Sequence, residues 1–348
     1  MQQVIFSKRI AEETDALCSA ISTDRIFLLT DTTTEKLCAP LLEESKALKS
    51  AQHITVGATD THKTLQTLSD VWTALSTAKA SRRSLLVNLG GGMVTDLGGF
   101  AAATFKRGID FVNIPTTLLA MVDAAVGGKT GINFNGLKNE VGAFCEARAV
   151  VIDTEFLRTL DDGNLRSGYA EMLKHSLLEN STMWADHMKF DLFHPDYAHL
   201  QELVSQSIAT KQRVVEEDPH EHGIRKALNL GHTVGHAFEA LALEKEHPVL
   251  HGYAVAWGLL CELYLSAAHS GFPTEIMHQT VRFIRENYGT FAFTCDDYEH
   301  LYELMLHDKK NSGGQINFTL LGNIGDIRIN QHLTKEQIYE SFDFFREG

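Results

Sequence analysis

The sequence predicts an α/β fold in which a parallel-sheet half is followed by a mainly helical half. In the first half, short runs rich in β-forming residues alternate with segments of helical periodicity. Such alternation is typical of a parallel sheet with helices on its faces. From about Glu155 onward helical patterns predominate. We therefore predict two domains, at residues 1–155 and 156–348.

The predicted strands are short apolar or β-branched runs that follow one another at regular intervals. They cover residues 25–30, 53–56, 84–89, 111–115 and 150–153. Between the second and third strands, residues 63–79 form a predicted helix because their apolar side chains recur at helical spacing. In the second half we expect helices and one hairpin, formed by residues 315–321 and 325–329.

Composition excludes several classes of protein. The 348 residues carry a formal net charge of -14, which argues against nucleic acid or an anionic membrane surface as a partner. The 5 cysteines are scattered and form no CxxC pair, which indicates reduced thiols. The N-terminus lacks the apolar run of a signal peptide, and Asp123 and Glu262 interrupt the longest apolar stretches. We therefore expect a cytoplasmic protein with no membrane span.

A glycine-rich turn joins the third predicted strand to the helix that follows it. The strand ends in the run 90–92, and residues 93–96 open the helix. Backbone amides at such a helix N-terminus suit a phosphate or pyrophosphate group. The turn is not a GxGxxG motif, because Thr95 occupies the place of the last glycine, and the glycines could instead serve tight packing. Asp60 and Lys63 follow the second strand, where a ribose could bind.

A second glycine-rich segment runs from residue 122 to 133 and includes Lys129. Lys138 and Asn139 follow it closely. Two lysines and an asparagine among glycines are typical of an anion-binding loop. A solvated loop is the alternative, but the apolar surroundings favour an anion site.

The central motif of the second half spans residues 229–236. Asn229, His232 and His236 fall three and then four residues apart, a spacing that predicts one shared helix face. Two imidazoles one turn apart can bind zinc, and Gly231 and Gly235 would leave room beside both rings. The chain has 17 histidines, so this pair alone does not identify a metal site.

A metal centre needs a third ligand from elsewhere in the chain. Glu171 and Lys174 share one predicted helix face, which fits an exposed ion pair. The same spacing is also compatible with Glu171 as a carboxylate ligand of the metal and Lys174 beside the substrate. Two histidines and one carboxylate would leave an open coordination position, as in catalytic zinc sites. The second histidine is then His236 or His251.

Basic residues recur near these motifs although acidic residues outnumber them, 45 to 31. Lys211 and Arg225 precede the histidine motif, and Lys309 and Lys310 lie near the C-terminus. This recurrence indicates a pocket for a substrate that carries phosphate or carboxylate groups.

Together and in this order, the motifs resemble those of the 3-dehydroquinate synthases, a family of sugar-phosphate cyclases. The resemblance runs from about Asp60 to Gly325 and includes GGGMVTDLGGF, PTTLLAMVDAAVGGKTGIN, GYAEMLKH, RKALNLGHTVGHAFE and HGYAVAWG. It implies a Rossmann-like domain that binds NAD, followed by a helical domain that binds zinc or cobalt and the substrate. The implied reaction converts 3-deoxy-D-arabino-heptulosonate 7-phosphate to 3-dehydroquinate and phosphate in the shikimate pathway.

The resemblance also implies roles for individual residues. The implied metal ligands are Glu171, His232 and His251. The implied NAD contacts are Asp60, Lys63, Gly91, Gly92, Met93, Val94, Thr95, Asp96, Thr116, Thr117, Lys129, Lys138, Phe156, Leu157, Arg158 and Thr159. The implied catalytic residues are Asp123, Lys174, Asn229 and His236.

Substrate binding is implied in the same way. The phosphate would contact Lys129, Asn139, His236 and one of Lys309 and Lys310. Arg107 would reach the phosphate from the second subunit of a homodimer. The substrate carboxylate would contact Lys211, Arg225 and Asn229.

The sequence departs from the family pattern at three places. Thr95 stands where relatives usually have glycine, Asp60 where they usually have glutamate, and residues 134–137 replace a histidine-containing loop. The positions at which cyclases of other sugar phosphates tend to differ are retained: Lys174, Asn229 and His236. The competing interpretations are a cyclase of another sugar phosphate, a metal-dependent polyol dehydrogenase and an inactive regulator that binds metal and nucleotide.

Overall fold

The computed structural model describes residues 2–307 and 315–348. The chain divides into two compact units, Met1–Asp161 and Asp162–Gly348. The division falls slightly beyond the predicted domain boundary after residue 155. The short 3₁₀ helix Thr154–Thr159 belongs to the first unit, where the Thr159 hydroxyl lies 3.7 Å from Cys38 Sγ.

The strands of the first unit form one parallel sheet and one hairpin. They are β1 (Gln3–Phe6), β2 (Ile26–Asp31), β3 (Gln52–Val56), β4 (Leu85–Gly90), β5 (Asp110–Pro115), β6 (Lys129–Phe134), β7 (Leu137–Phe144) and β8 (Ala149–Ile152). Within the described residues, the sheet has six strands in the order β1-β8-β5-β4-β2-β3. Every pair in it is parallel, which confirms the predicted α/β architecture.

Helices connect these strands. They are α1 (Ile10–Ala20), α2 (Thr34–Leu37), α3 (Lys46–Lys49), α4 (Leu65–Thr77) and α5 (Gly92–Thr104). Three further 3₁₀ helices lie at Ala39–Leu42, Asp60–His62 and Phe105–Arg107, and a π-helical turn at Ala120–Ala124. Apolar side chains of α4 and α5, including Leu68, Val71 and Leu97, pack with the sheet residues Leu29 and Leu86 in one buried core.

The hairpin of β6 and β7 corrects the prediction of a glycine-rich loop at this place. The two strands pair in antiparallel fashion. Asn135 and Gly136 connect them with φ angles of 50° and 80°, as a two-residue hairpin turn requires. Almost every residue of β7 is exposed, so the strand has no buried face that alternation could reveal. The edge strand β1 was also not predicted.

The second unit is mainly helical, as predicted. Its helices are α6 (Asp162–Glu179), α7 (Ser181–Lys189), α8 (Tyr197–Glu217), α9 (His232–Glu244), α10 (His251–Ser270), α11 (Thr274–Tyr288), α12 (Tyr298–Leu306) and α13 (Lys335–Glu347). Short 3₁₀ helices lie at Ile224–Asn229 and Cys295–Asp297. The predicted hairpin is present as β9 (Phe318–Asn323) and β10 (Asp326–Gln331).

Helix α10 is the central element of this unit. Most of its residues are buried, and it packs against α6, α9, α11 and α13. Two of these neighbours carry predicted metal ligands, and α10 itself begins at a third. Among the described helices, none combines the length and apolar character needed to cross a bilayer.

Candidate active site

The glycine-rich turn lies between β4 and α5 in the first unit. Gly91 is the N-cap of α5, and the amide of Thr116 donates to the Gly90 carbonyl oxygen over 3.0 Å. A Cβ on Gly91 would lie 3.0 Å from Thr117 Cγ2, and one on Gly92 would lie 3.1 Å from Ala124 Cβ. Residues 91–93 are nonetheless partly exposed. The turn can therefore present helix N-terminal amides to an anion.

Tight packing, the alternative explanation for the glycines, applies further along α5. A Cβ on Gly98 would overlap the Asn88 side chain on β4. Thr95 is buried, and its hydroxyl donates to the Gly92 carbonyl oxygen over 3.2 Å. This threonine is therefore accommodated within the helix, and its hydroxyl is satisfied there.

Several predicted nucleotide and phosphate residues form one polar network in the first unit. Lys63 is buried, and its Nζ lies 2.5 Å from Asp96 Oδ2 on α5. The same ammonium group donates to Asn139 Oδ1 on β7. The 3₁₀ helix with Asp60 ends directly before Lys63, and Lys138 Nζ lies 3.8 Å from Asp60 Oδ2. Residues 60–63, which follow β3, and residues 138–139 of β7 thus converge beside α5.

Four predicted NAD contacts lie on the 3₁₀ helix Thr154–Thr159. Phe156 and Leu157 have buried side chains, so contact with a ligand would involve their backbone. Arg158 Nε donates to Glu155 Oε2 over 2.9 Å, and the Thr159 hydroxyl donates to the Phe156 carbonyl oxygen over 2.7 Å.

The remaining predicted residues of the first unit lie on turns and strand ends. Asp123 is half-buried in the π-helical turn, and exposed Lys129 begins β6. Thr116 and Thr117 directly follow β5. Exposed Arg107, with φ of 69°, lines a surface cavity of about 440 Å³ formed with Ser81, Arg82 and Lys106.

Three predicted metal ligands converge in the second unit. Glu171 lies in the middle of α6, whereas His232 and His251 are the first residues of α9 and α10. Glu171 Oε1 is 3.2 Å from His232 Nε2 and 3.4 Å from His251 Nε2. A tetrahedral zinc ion with bonds of about 2.0–2.1 Å holds its ligand atoms about 3.3 Å apart. The two distances from the carboxylate oxygen to the imidazole nitrogens therefore fit zinc.

The state of Glu171 also fits a metal ligand. Its Oε1 is buried and makes no hydrogen bond of acceptable geometry within the described chain. Burial raises the pKa of this carboxyl, but the charges of Lys174 and His232 outweigh burial and hold the pKa well below its usual range. The carboxylate is thus ionised and has an oxygen directed at both imidazoles.

His251 lies between two carboxylates. Burial lowers the pKa of its imidazole, but Glu171 and Glu239 outweigh burial and raise the pKa to about 10. A metal ion that binds Nε2 would therefore displace a proton. Glu239 Oε2 lies 3.1 Å from Nδ1, on the far side of the ring. A carboxylate in this position fixes the orientation and tautomer of a ligand histidine.

Glu239 was not among the predicted site residues. It lies seven residues after His232 and three after His236 on α9. This spacing places all three on one face of the helix, so the helical pattern contained a signal for it.

Lys174 is not part of an exposed ion pair, which corrects one of the two interpretations of its spacing from Glu171. The side chains of Lys174 and Glu171 are 1% and 0% exposed. Lys174 Nζ donates to Glu171 Oε2, which leaves Oε1 for the histidines.

His236 lies beside the predicted metal ligands, and its ring centroid is 5.4 Å from that of His232 and 6.0 Å from that of His251. Donor atoms of Glu171, His232 and His251 all lie within 4.8 Å of one another.

Asn229 does not share a helix with the two histidines, so that prediction is wrong. It ends the 3₁₀ helix Ile224–Asn229, and α9 begins only at His232. Gly231 separates them with a left-handed φ of 78°, which changes the direction of the chain. The Asn229 amide instead donates to Glu221 Oε1 over 3.0 Å.

The sequence suggested that the glycines of the motif leave room beside the histidine rings. In the structure they serve a different purpose. A Cβ on Gly235 would lie 2.8 Å from the Ala254 carbonyl oxygen, and one on Gly231 would lie 2.7 Å from Leu259 Cγ. Ala254 and Leu259 belong to α10. These glycines therefore let the backbones of α9 and α10 approach each other.

Two predicted substrate-binding cations are buried in the second unit. Lys211 lies on α8, and Arg225 lies on the 3₁₀ helix that packs against α8. Arg225 Nη1 donates to the Pro219 carbonyl oxygen over 2.6 Å. The other predicted cations, Lys309 and Lys310, lie outside the described residues.

A close approach of α6 and α10 brings Glu171 beside His251. The amide of Gly252 donates to Ser167 Oγ over 3.0 Å, and a Cβ on Gly252 would overlap the Ser167 carbonyl oxygen. Ser167 lies one turn before Glu171, and Gly252 follows His251. This contact therefore sets the separation between the carboxylate and the imidazole.

Comparison with known proteins gives concordant matches. Family models described as 3-dehydroquinate synthase N-terminal and C-terminal match residues 53–167 and 168–311. A 3-dehydroquinate synthase of Parabacteroides distasonis is 57% identical over 347 residues, which cover 100% of this chain and 98% of the relative. One of Campylobacter jejuni is 37% identical over 291 residues, 82% of each chain.

A solved structure shares the fold. The 2-epi-5-epi-valiolone synthase of Streptomyces hygroscopicus, with NAD+ and Zn2+ bound, superposes with a TM-score of 0.86. Its sequence is 24% identical, and the match covers 100% of this chain and 97% of that one. At this identity the likeness concerns the arrangement of helices and strands.

The Gly252 contact can be tested by its effect on stability. A glycine-to-alanine change within a helix ordinarily stabilises a protein by roughly 0.5–1 kcal/mol. We expect Gly252→Ala to have the opposite sign and to lower the free energy of unfolding by about 3 kcal/mol, because the methyl group forces α6 and α10 apart. Chemical denaturation measures the change. Ala268→Gly, at an exposed position of α10, is the control and should cost about 1 kcal/mol. A neutral or stabilising Gly252→Ala would contradict the contact.

Proposed function

The chain belongs to the 3-dehydroquinate synthase family, and we propose that it converts 3-deoxy-D-arabino-heptulosonate 7-phosphate to 3-dehydroquinate and phosphate. This reaction is the second step of the shikimate pathway, which leads to the aromatic amino acids. The observation that carries the proposal is the convergence of Glu171, His232 and His251 in a chain that matches the family over its full length.

We propose that these three side chains hold a zinc ion, for which cobalt could substitute. Two imidazole nitrogens and one carboxylate oxygen are the donors of many catalytic zinc sites, and they leave a coordination position for substrate. Glu239 would hold the ring of His251 from the opposite side. The zinc bound in the related valiolone synthase supports the choice of metal.

We propose NAD as the cofactor of the first unit. The parallel sheet and the partly exposed N-terminus of α5 after β4 support this assignment, because a pyrophosphate binds well at such amides. Lys63, Asp96 and Asn139 would border the nucleotide as the network beside α5. The NAD+ in the related valiolone synthase is a further support.

When bound, zinc supplies Lewis-acid polarisation of the substrate hydroxyl, and NAD accepts a hydride and later returns it. Lys174 would donate hydrogen bonds to the ring hydroxyls from a position fixed by Glu171. Arg225 and Lys211 would bind the substrate carboxylate, since buried cations form strong charge-assisted hydrogen bonds. His236, beside the ligand histidines, would lie near the leaving phosphate. Closure of the product ring then requires that the pocket hold the substrate in a single conformation.

We also propose that the enzyme is a homodimer that forms through the hairpin of β6 and β7. The hairpin bears four exposed apolar side chains, between 39% and 56% accessible: Phe134, Leu137, Val141 and Phe144. Such a patch is typical of an interaction surface. A second copy of the chain is the partner that the family resemblance favours, with Arg107 contributed to its neighbour.

Light scattering tests the dimer. We expect a mass of twice the 38.7 kDa chain, and a shift toward the monomer in Phe144→Glu. Phe193→Glu is the matched control, because Phe193 is equally exposed, at 56%, but lies in the second unit. A wild-type monomer, or equal dissociation of both variants, would contradict the assignment.

We place the enzyme in the cytoplasm. All five cysteines are free thiols, which a reducing compartment maintains. The pathway intermediate that we propose as substrate is a small anionic sugar phosphate, and such intermediates are retained within the cell.

Phosphate release from 3-deoxy-D-arabino-heptulosonate 7-phosphate tests the reaction. We expect release to require NAD in catalytic amounts, to stop after EDTA treatment and to return with zinc. Net accumulation of NADH with a simple alcohol, and no phosphate release, would instead favour a polyol dehydrogenase. Release from another sugar phosphate alone would contradict the proposed substrate.

A further inference from the structure

A buried carboxylate away from the site links the two helices that begin with histidine ligands. Glu262 lies three turns into α10, which begins at His251, and its side chain is fully buried. Its Oε2 accepts a hydrogen bond from the amide of Gly231 over 2.6 Å. Its Oε1 accepts one from the amide of Val234 over 3.1 Å. Both amides belong to the N-terminus of α9, which begins at His232.

The first turn of α9 needs an acceptor from outside its own sequence. The first amides of a helix have no intrahelical partner, and an N-cap side chain usually accepts a hydrogen bond from the second or third of them. Gly231 is the N-cap here and has no side chain that could do so. Glu262 supplies the oxygen for the third residue, Val234, from a different helix. An acceptor oxygen at this position also suits the positive end of the α9 dipole.

Glycines, and not interlocking side chains, form the contact between the start of α9 and the middle of α10. A Cβ on Gly258 of α10 would overlap the Gly231 carbonyl oxygen, so the two backbones touch where neither has a side chain. At this point of contact there is no side-chain ridge that could hold one helix against rotation or sliding along the other. Two directional hydrogen bonds to a single carboxylate do specify the relative position.

We propose that Glu262 is a positioning residue for the metal centre. By holding the first turn of α9 against α10, its carboxylate sets the separation of the His232 and His251 rings, whose centroids lie 5.4 Å apart. It acts through the backbone of α9 and not as a ligand. This inference rests on the zinc site proposed above.

The test compares Glu262→Met and Glu262→Gln with Ser266→Ala in the full chain. Ser266 is buried one turn further along α10, where its hydroxyl accepts from the Leu321 amide over 3.1 Å and donates to the Glu262 carbonyl oxygen. Its removal loosens α10 but leaves the Glu262 carboxylate in place. Ser266→Ala is therefore the matched control.

Two readouts separate positioning from general stability. Competition with a chelator gives the zinc dissociation constant, and the visible spectrum of the cobalt-loaded protein reports the ligand geometry. We expect Glu262→Met to weaken zinc binding about 10- to 100-fold and to alter the cobalt spectrum. Glu262→Gln keeps one acceptor oxygen and should lose less affinity. Ser266→Ala should match the wild type in both measurements.

Unchanged zinc affinity and an unchanged cobalt spectrum in both Glu262 variants would overturn the positioning role. An equal loss in Ser266→Ala would overturn it too, because the effect would then come from general loosening of α10. If wild-type protein bound no zinc, the metal centre itself would fail, and that outcome does not depend on any variant. Should the methionine variant not fold, Glu262→Gln and Glu262→Asp decide the same comparison.

Discussion

The ionised carboxylate of Glu171 is the group on which the polar centre of the second unit depends. It is fully buried, and an ionised group at that depth costs several kcal/mol unless charged or hydrogen-bonding partners surround it. Lys174 of the same helix satisfies one oxygen, and the imidazoles of His232 and His251 face the other. The partners come from three helices. The positions of α6, α9 and α10 are therefore interdependent.

Helix ends and glycines make this convergence possible. Both histidines are the first residues of their helices, so the placement of each helix largely determines the position of its ring. Gly252 lets α10 meet α6, and Gly231 and Gly235 let α9 meet α10. Two further carboxylates, Glu239 and Glu262, then bind the ring of His251 and the first turn of α9. The rigid helical frame thus accounts for the geometry of the donors.

The sequence predicted the elements whose signal is local. The strands at 53–56 and 84–89 are short apolar runs, and the helix at Leu65–Thr77 has its apolar residues on one face. The hairpin of β6 and β7 was missed because its second strand is exposed and its glycines suggested a loop. Its Asn135-Gly136 pair was nevertheless a usable turn signal.

Tertiary partners could not be predicted from local pattern. Spacing left His236 and His251 as equal candidates for the second histidine ligand, since it does not show which helix ends meet. Only the family resemblance favoured His251. Spacing also placed Asn229 on the histidine helix, because nothing in the pattern revealed the left-handed turn at Gly231. Glu262 was noticed merely as a charge that interrupts an apolar stretch, since its partners lie about thirty residues away.

The most direct test of the proposed metal centre is the zinc content and turnover of Glu171→Gln. Glutamine keeps an acceptor for Lys174 and nearly the same volume, but it removes the charge that both histidines face. Glu179→Gln, on the same helix and paired with Arg213 over 2.5 Å, is the matched control. We predict that Glu171→Gln loses both bound zinc and 3-dehydroquinate formation, whereas the control keeps both. A Glu171→Gln protein with full zinc occupancy and full turnover would contradict it.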